Sequence, residues 1–397
     1  MKKFIYLHLL PILLAIIILF FSITRIHNIF LQEEENQNSL SNYINNFKDN
    51  SAFEDQFLLS NDSADIIYLL GSSELTSATE ASPYNFISNN FKTKVIGVGH
   101  AGNQCFSIYS QLLANANKLK DAPVIIILSP SWFHSKDAKG TTSTVFLEYN
   151  SDKFLESILN NNDTSLSEFK GYETKRINDF YSEINNPSLN LRGLSIENQS
   201  NKSFPHYLAY QPVIKTHDII KKIRSVFIRD DYKANYQPYN RQPILSENVI
   251  INWDSLFNNS RQEQINNSKN NSWGINDKYY KDNIKGENGR IKLVDNKYNQ
   301  ELKDFYMLIK LLHVKKANAS FIILPLNPYY YNNSDNLTPL IKELEIELRK
   351  NNFSYLNFWN SDSNTFEKEI LFDIMHLSKY GWYKADKFIV ETYNLVK

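Results

Sequence analysis

The clearest indication of the fold is the segment Ile66-Ile67-Tyr68-Leu69-Leu70-Gly71-Ser72-Ser73-Glu74-Leu75. Its first half is a short apolar run, which is typical of a strand buried on both faces of a parallel sheet. The Gly71-Ser72-Ser73 that follows predicts a tight turn at the end of this strand. Ligands of open α/β sheets bind beyond the carboxyl ends of the strands, so chemistry is expected at this turn.

The same alternation of strands and helices continues along the chain. Further buried strands are predicted at Lys94–Val98, Val124–Leu128, Ser320–Leu324 and Tyr355–Phe358. Helices are predicted across Ile108–Ala116 and Leu302–Val314, from an N-cap at Thr338 to about Lys350, and from near Ser378 onwards. Strands that alternate with helices predict an α/β fold, in which helices cover both faces of a parallel sheet.

The alternation of predicted strands and helices is interrupted between about residues 134 and 298, where the sequence is polar, aromatic and irregular. Helices are expected there around Phe154–Leu159 and Ile214–Ile223. The stretch lacks the apolar periodicity of a separate core. We therefore expect a large helical and irregular insertion beside the carboxyl edge of the sheet, forming the wall and lid of a cleft.

The N-terminus carries a nearly unbroken apolar run, Phe4–Ile23, preceded by Lys2 and Lys3. A helix of about 20 residues spans the roughly 30 Å of a bilayer core. A cleaved signal peptide is the competing interpretation, but the run ends without small residues at a cleavage site. We expect a transmembrane signal-anchor in residues 1–25, a polar linker in 26–60 and an extracytoplasmic domain in 61–397. The lysines predict a cytoplasmic N-terminus and a single pass through the cell membrane.

Composition excludes several classes of function. The 43 Lys and Arg residues equal the 43 Asp and Glu residues in number, so the formal net charge is zero. The absence of a net positive charge argues against a protein whose main function is to bind nucleic acid. The single cysteine, Cys105, excludes an internal disulfide and a cysteine-based metal cluster. The eight histidines form no zinc-binding pattern. We predict neither a metal nor a cofactor.

Chemically competent residues follow the predicted strands or precede the last helix. Ser73 follows the first strand, Gly102 lies in a glycine-punctuated turn after the second, and Asp373 and His376 share one loop. A serine becomes a nucleophile when a base takes its proton and a third group orients that base. Backbone N–H groups of the Ser73 turn and of Gly102 could stabilise an oxyanion. Each motif alone is common in ordinary turns and helix starts, but their joint occurrence favours a serine–histidine–aspartate site.

These motifs resemble the SGNH (GDSL-type) hydrolase superfamily and, within it, the DltD family of D-alanyl transfer proteins of lipoteichoic acid synthesis. The residues that carry the resemblance are Leu70–Leu75, Pro83-x-Asn85-Phe86, Ser129–Phe133, Phe321–Pro328 and Asp373–Trp382. The likeness extends from the apolar N-terminus almost to the last residue and is weakest from about 135 to 250.

The resemblance implies a flavodoxin-like, three-layer α/β sandwich of the SGNH-hydrolase type. It implies Ser73 as nucleophile, His376 as base and Asp373 as the group that orients the base. The implied substrate is a D-alanyl ester or thioester outside the membrane, with an envelope polymer as acceptor. The implied partners are a membrane-bound O-acyltransferase of the DltB type and, indirectly, an acyl-carrier protein.

The sequence departs from the family pattern at two positions. Ser129-Pro130-Ser131 stands where SGNH enzymes carry a Gly-Asn-Asp block, and the DltD family usually has Gln in place of Ser131. Ser378 replaces a usual glycine. One oxyanion donor is therefore missing, and Ser131 or Asn103 is the candidate replacement, with the adjoining Trp132 a candidate substrate contact.

The sequence leaves three functions open. The first is acyl transfer to teichoic or lipoteichoic acid through an acyl-serine. The second is an esterase, thioesterase or O-acetyltransferase that acts on another envelope polysaccharide with the same machinery. The third is a non-catalytic scaffold for a membrane O-acyltransferase, which the altered asparagine block favours and the intact Ser73, Asp373 and His376 oppose.

Overall fold

The computed structural model describes residues 66–75, 79–116, 118–120, 122–134, 137–150, 154, 169–183, 251–284, 291–292 and 299–395, with residues 46–47 and scattered positions between 10 and 25. Within these ranges, no helix is both apolar and long enough to cross a membrane. Half of the predicted span Phe4–Ile23, most of the predicted helix Phe154–Leu159 and all of Ile214–Ile223 lie outside the described residues. Those three stay predictions.

A parallel sheet forms the centre of the molecule. The strands are β1 Asn46–Phe47, β2 Ile66–Gly71, β3 Lys94–Gly99, β4 Val124–Leu128, β5 Ile291–Lys292, β6 Ala319–Ile323, β7 Tyr331–Asn332 and β8 Ser354–Asn357. The main sheet has the order β1-β3-β2-β4-β6-β8 and every pair in it is parallel, while β5 and β7 pair separately. The predicted strands are confirmed to within one residue, and the clearest of them, β4, is an unbroken apolar run. The edge pairing of Asn46 and Phe47 lies inside the stretch predicted to be a linker.

Helices cover both faces of this sheet. They are α1 Pro83–Asn90, α2 Cys105–Leu113, α3 Ser143–Tyr149, α4 Lys170–Glu183, α5 Trp253–Asn267, α6 Gln300–Val314, α7 Thr338–Lys350 and α8 Lys379–Thr392. Alternate residues of β2 point to opposite layers: Tyr68 and Leu70 pack with α2, α6 and α7, whereas Ile67 and Leu69 pack with α1 and α8. The expected three-layer α/β sandwich with a parallel sheet is confirmed.

One predicted helix start agrees with the structure and another does not. Helix α8 begins near Ser378 as predicted, and the Ser378 side chain caps it by accepting a hydrogen bond from the Gly381 N–H. The predicted N-cap at Thr338 is wrong by one residue. A 3-10 turn, Ser334–Leu337, leads directly into α7, so that Leu337 occupies the cap position without a side-chain hydrogen bond and Thr338 is already helical.

The predicted insertion contains an ordered helix that the sequence did not predict. Helix α5 begins after Asn252, whose side chain accepts a hydrogen bond from the Ser255 N–H at 3.0 Å. Trp253 and Phe257 join the core on the α1–α8 side, and Phe257 packs edge-on against Tyr380 of α8. This part of the insertion is therefore a component of the helical layer.

A buried polar network joins three helices on the other face. Arg176 of α4 pairs with Asp304 of α6 at 2.9 Å. Glu301 of α6 accepts a hydrogen bond from the Cys105 N–H at 2.8 Å, at the start of α2. Burial raises the pKa of both carboxyl groups above their ordinary values. Arg176 Nη2 also donates to the Thr141 carbonyl at 3.4 Å, so the network also contacts the loop that follows β4.

Candidate active site

Ser73 lies in a 3-10 turn, Ser73–Leu75, directly after the central strand β2. The Leu75 N–H donates to the Ser72 carbonyl at 3.1 Å and closes this turn. The neighbouring strand β3 approaches closely, since a Cβ added to Gly99 would lie 2.3 Å from the Gly71 carbonyl oxygen. Only glycine permits this approach, which brings the turns after β2 and β3 together.

Three of the predicted site residues come together at the carboxyl edge of the sheet. Ser73 Oγ lies 3.0 Å from His376 Nε2, and His376 Nδ1 lies 2.7 Å from Asp373 Oδ2. A carboxylate only accepts hydrogen bonds, so Nδ1 carries the ring proton of the neutral histidine. This tautomer leaves the lone pair of Nε2 facing the serine hydroxyl, as a general base requires.

The Asp373–His376 segment forms a narrow hairpin, in which backbone hydrogen bonds fix the Asp373 carboxylate. Leu371 pairs with Leu377, and the Phe372 N–H donates to the His376 carbonyl at 2.8 Å. Asp373 Oδ1 accepts from the backbone N–H groups of residues 375 and 376 at 2.8 and 2.7 Å. One oxygen of Asp373 therefore organises the loop, while the other is left for the imidazole.

Residues from the predicted insertion support this hairpin. Gln264 of α5 is buried, and its Nε2 donates to the carbonyl oxygens of Leu371 at 2.9 Å and Gly274 at 3.0 Å. The Asn276 N–H donates to the Phe372 carbonyl at 2.9 Å. Gln264 is not predicted from the sequence, and no local signal marks it, because its partner at residue 371 is 107 positions away.

Burial and charge act in opposite directions on His376. Desolvation lowers the pKa of the imidazole, but the hydrogen bond and charge of Asp373 and the charge of Glu74 raise it, and the net pKa is above the ordinary value. The imidazolium form is thus more stable than that of an ordinary histidine. This is the form that His376 adopts when it accepts a proton from Ser73.

Gly102 and Asn103 lie at the Ser73 turn and hold it in place. The Gly102 N–H donates to Ser72 Oγ at 3.0 Å, and Ser72 Oγ donates to the His100 carbonyl at 3.0 Å. Asn103 Nδ2 donates to the Gly71 carbonyl at 2.8 Å. These donors bind protein atoms in this structure, so their expected role at an oxyanion stays a prediction.

Ser131 and Trp132 follow β4, the strand on the other side of β2. They lie in the 3-10 turn Pro130–Phe133, where Ser131 Oγ lies 2.8 Å from Ser129 Oγ. Trp132 is buried in the core that includes α2 and α6. Both residues reach the carboxyl edge of the sheet, and their contact with an oxyanion or substrate stays a prediction. Among the described residues, no cluster of His, Cys, Asp and Glu side chains could hold a metal ion.

Comparison with known proteins shows the family of this chain. The family model described as DltD protein matches residues 40–394. Protein DltD of Bacillus subtilis (strain 168) is 24% identical over 343 residues, which cover 83% of this chain and 82% of that protein. Protein DltD of Staphylococcus aureus (strain NCTC 8325 / PS 47) is 22% identical over 331 residues, with 81% and 80% covered. The chain belongs to the DltD family.

Proposed function

We propose that this chain is a membrane-anchored acyl-transfer enzyme, which moves D-alanine onto teichoic or lipoteichoic acid through an acyl-serine at Ser73. Membership of the DltD family supports a role in the D-alanylation of teichoic acid. The observation that carries the catalytic half of the proposal is the continuous chain of contacts from Ser73 Oγ through His376 to Asp373.

The proposed reaction has two halves. In the first, His376 Nε2 takes the proton of Ser73 while Oγ bonds to the D-alanyl carbonyl carbon. The tetrahedral intermediate then collapses, and the departing thiol or alcohol takes that proton from His376. In the second half, a polymer hydroxyl gives its proton to His376 and attacks the acyl-serine. Ser73 leaves with the proton and is regenerated.

The setting of this reaction is proposed from the sequence. The N-terminal segment anchors the chain in the cell membrane by a single pass, with the catalytic domain outside. A membrane-bound O-acyltransferase of the DltB type is the direct partner, and an acyl-carrier protein supplies the D-alanyl group indirectly. If water replaces the polymer hydroxyl in the second half, the same residues make the chain an esterase or thioesterase.

The first test measures ester-linked D-alanine in the envelope polymer of cells. Cells with the native chain are compared with a deletion, with Ser73→Ala, and with the control Ser182→Ala, an exposed serine of α4. We expect the deletion and Ser73→Ala to abolish D-alanine and the control to retain it. If deletion abolishes it and Ser73→Ala does not, the chain is a scaffold. If neither the deletion nor Ser73→Ala lowers ester-linked D-alanine, the proposed D-alanyl group is refuted, and acetyl esters are measured next.

A second test examines the nucleophile directly in the purified full chain. A serine-reactive fluorophosphonate should label the native chain and the Ser182→Ala control, and Ser73→Ala should remove the labelling. Labelling that persists in Ser73→Ala would contradict Ser73 as the nucleophile, whatever the polymer analysis shows.

A further inference from the structure

Glu74 directly follows Ser73, and its side chain folds back over the nucleophile turn. Glu74 Oε1 accepts a hydrogen bond from the Ser72 N–H at 2.6 Å, and the residue is only 3% exposed. A Cβ added to Gly71 would lie 2.6 Å from the same oxygen. Gly71 therefore provides the space that the carboxyl group occupies, and the four residues Gly71-Ser72-Ser73-Glu74 form one interlocked unit.

The carboxyl group of Glu74 is buried at a considerable cost. Desolvation raises its pKa, while backbone N–H groups of residues 72 and 74 and the charge of His376 lower it. A glutamine would accept the same hydrogen bond from Ser72 without a buried charge. A carboxyl group at this position therefore needs a reason beyond capping the turn.

The imidazole of His376 provides that reason. Two carboxyl groups act on it from two elements: Asp373, from its own hairpin, and Glu74, from the turn of the nucleophile. Burial lowers the pKa of His376, and these two groups together reverse the effect. In a poorly solvated site, a charge that is already oriented stabilises a nearby ion more than it would in water.

We propose that Glu74 is a positioning residue, which holds the Ser73 turn and stabilises the imidazolium that His376 becomes when it takes the serine proton. This inference rests on the proposed function, since it assigns a task within the same acyl transfer. Asp373 orients the ring from the Nδ1 side. Glu74 supports it from the side of the reacting serine.

The test separates charge from shape. Glu74→Gln keeps an oxygen that can accept from Ser72 and removes the charge, and Glu80→Gln is the matched control. Glu80 is an exposed carboxylate a few residues further on, paired with Lys379 at 2.8 Å. The measurement is the rate of fluorophosphonate labelling of the full chain as a function of pH.

We expect two changes in Glu74→Gln and none in Glu80→Gln. The plateau rate should fall several-fold, a part of the roughly 10²–10⁴-fold that general-base catalysis contributes. The acid limb should move to lower pH, because His376 loses an anionic neighbour and its pKa falls. A purely structural role lowers the rate without moving the limb. An unmoved limb would therefore overturn the proposal.

Histidine NMR provides a readout that does not depend on reactivity. In the full chain with ¹³C-labelled histidine, the ring signal of His376 is the one lost in His376→Gln. A lower titration midpoint in Glu74→Gln than in the native chain supports the proposal, and equal midpoints refute it. If the midpoint shifts but the native chain does not react with the fluorophosphonate, the acyl-serine mechanism is refuted and only the electrostatic interaction between Glu74 and His376 is supported.

The native chain alone supplies a second check if Glu74→Gln does not fold. Two interacting groups titrate in coupled steps, so the His376 signal should show a second inflection as Glu74 gains or loses its proton. A single inflection over the pH range in which the fold persists would contradict the proposed interaction.

Discussion

Replacement of Gly99 by alanine should misplace the nucleophile without touching it. The new Cβ would lie 2.3 Å from the Gly71 carbonyl oxygen and 2.7 Å from its carbonyl carbon, whereas real Cβ contacts stay beyond 3.0 Å. The strands β2 and β3 must therefore separate by at least 0.7 Å, the difference between 3.0 and 2.3 Å. Gly71 and Gly99 are direct partners in the sheet, so backbone atoms absorb this movement.

Two magnitudes follow from that displacement. Overpacking of a close contact costs about 1–3 kcal/mol in the free energy of unfolding. A misplacement of about 1 Å costs on the order of 10²-fold in rate. Because Ser73 is two residues from the displaced carbonyl, we expect its labelling rate to fall by roughly ten- to a hundredfold in the folded variant.

Urea denaturation and fluorophosphonate labelling together test this expectation. The matched control is Gly171→Ala in α4, where an added Cβ meets no atom within 4 Å. Alanine in a helix is favoured over glycine by up to about 1 kcal/mol, so the control should be as stable as the native chain or slightly more so. If Gly99→Ala keeps the native unfolding midpoint and labelling rate, the close approach of β2 and β3 does not position the nucleophile.

Two further predictions concern the Asp–His hairpin. Gln264→Ala leaves two buried carbonyl oxygens without their donor, so we expect about 1–3 kcal/mol less stability in urea and slower labelling. Gln262→Ala, on the exposed side of the same helix, should change neither, and equal behaviour of the two variants would refute a supporting role for Gln264. In Asp373→Asn, we expect labelling to slow by on the order of 10⁴-fold, with its acid limb at lower pH, because the pKa of His376 is no longer raised. Because the pKa of His376 is raised in the folded chain, its protonated form stabilises the fold fully below the unfolded pKa, and this stabilisation is lost as pH rises through the folded pKa. The urea midpoint of the native chain should therefore fall over this pH range. The urea midpoint of Asp373→Asn should not show this fall.

The sheet could be predicted from the sequence because its strands carry their own signal. Buried parallel strands are continuous apolar runs between turn residues, as in Val124–Leu128 before Ser129. The N-cap Ser378 likewise carries a local signal, since its side chain bonds an N–H group three residues away.

Helix α5 could not be predicted in the same way. It contains Trp253-Asp-Ser-Leu-Phe257 followed by residues up to Asn267 that are polar except for Ile265, and its buried side includes the polar Ser260 and Gln264. A stripe with few apolar members does not produce a clear helical period. The buried Gln264 donates hydrogen bonds to the carbonyl oxygens of Gly274 and Leu371. These contacts exist only in the tertiary structure.

Local patterns show which residue types end each strand, because the apolar runs and turn residues that mark these positions are short-range features. They place Ser73 at the carboxyl edge of the sheet, where open α/β sheets bind ligands, and Asp373 and His376 in the loop before the last helix. The tertiary structure sets the 3.0 Å contact between Ser73 and His376, which are 303 positions apart. It also decided that Glu74 turns inwards, and that Gly102 and Asn103 hold the turn. Hydrogen-bond geometry depends on how distant backbone and side-chain atoms pack, and no periodicity along the chain encodes it.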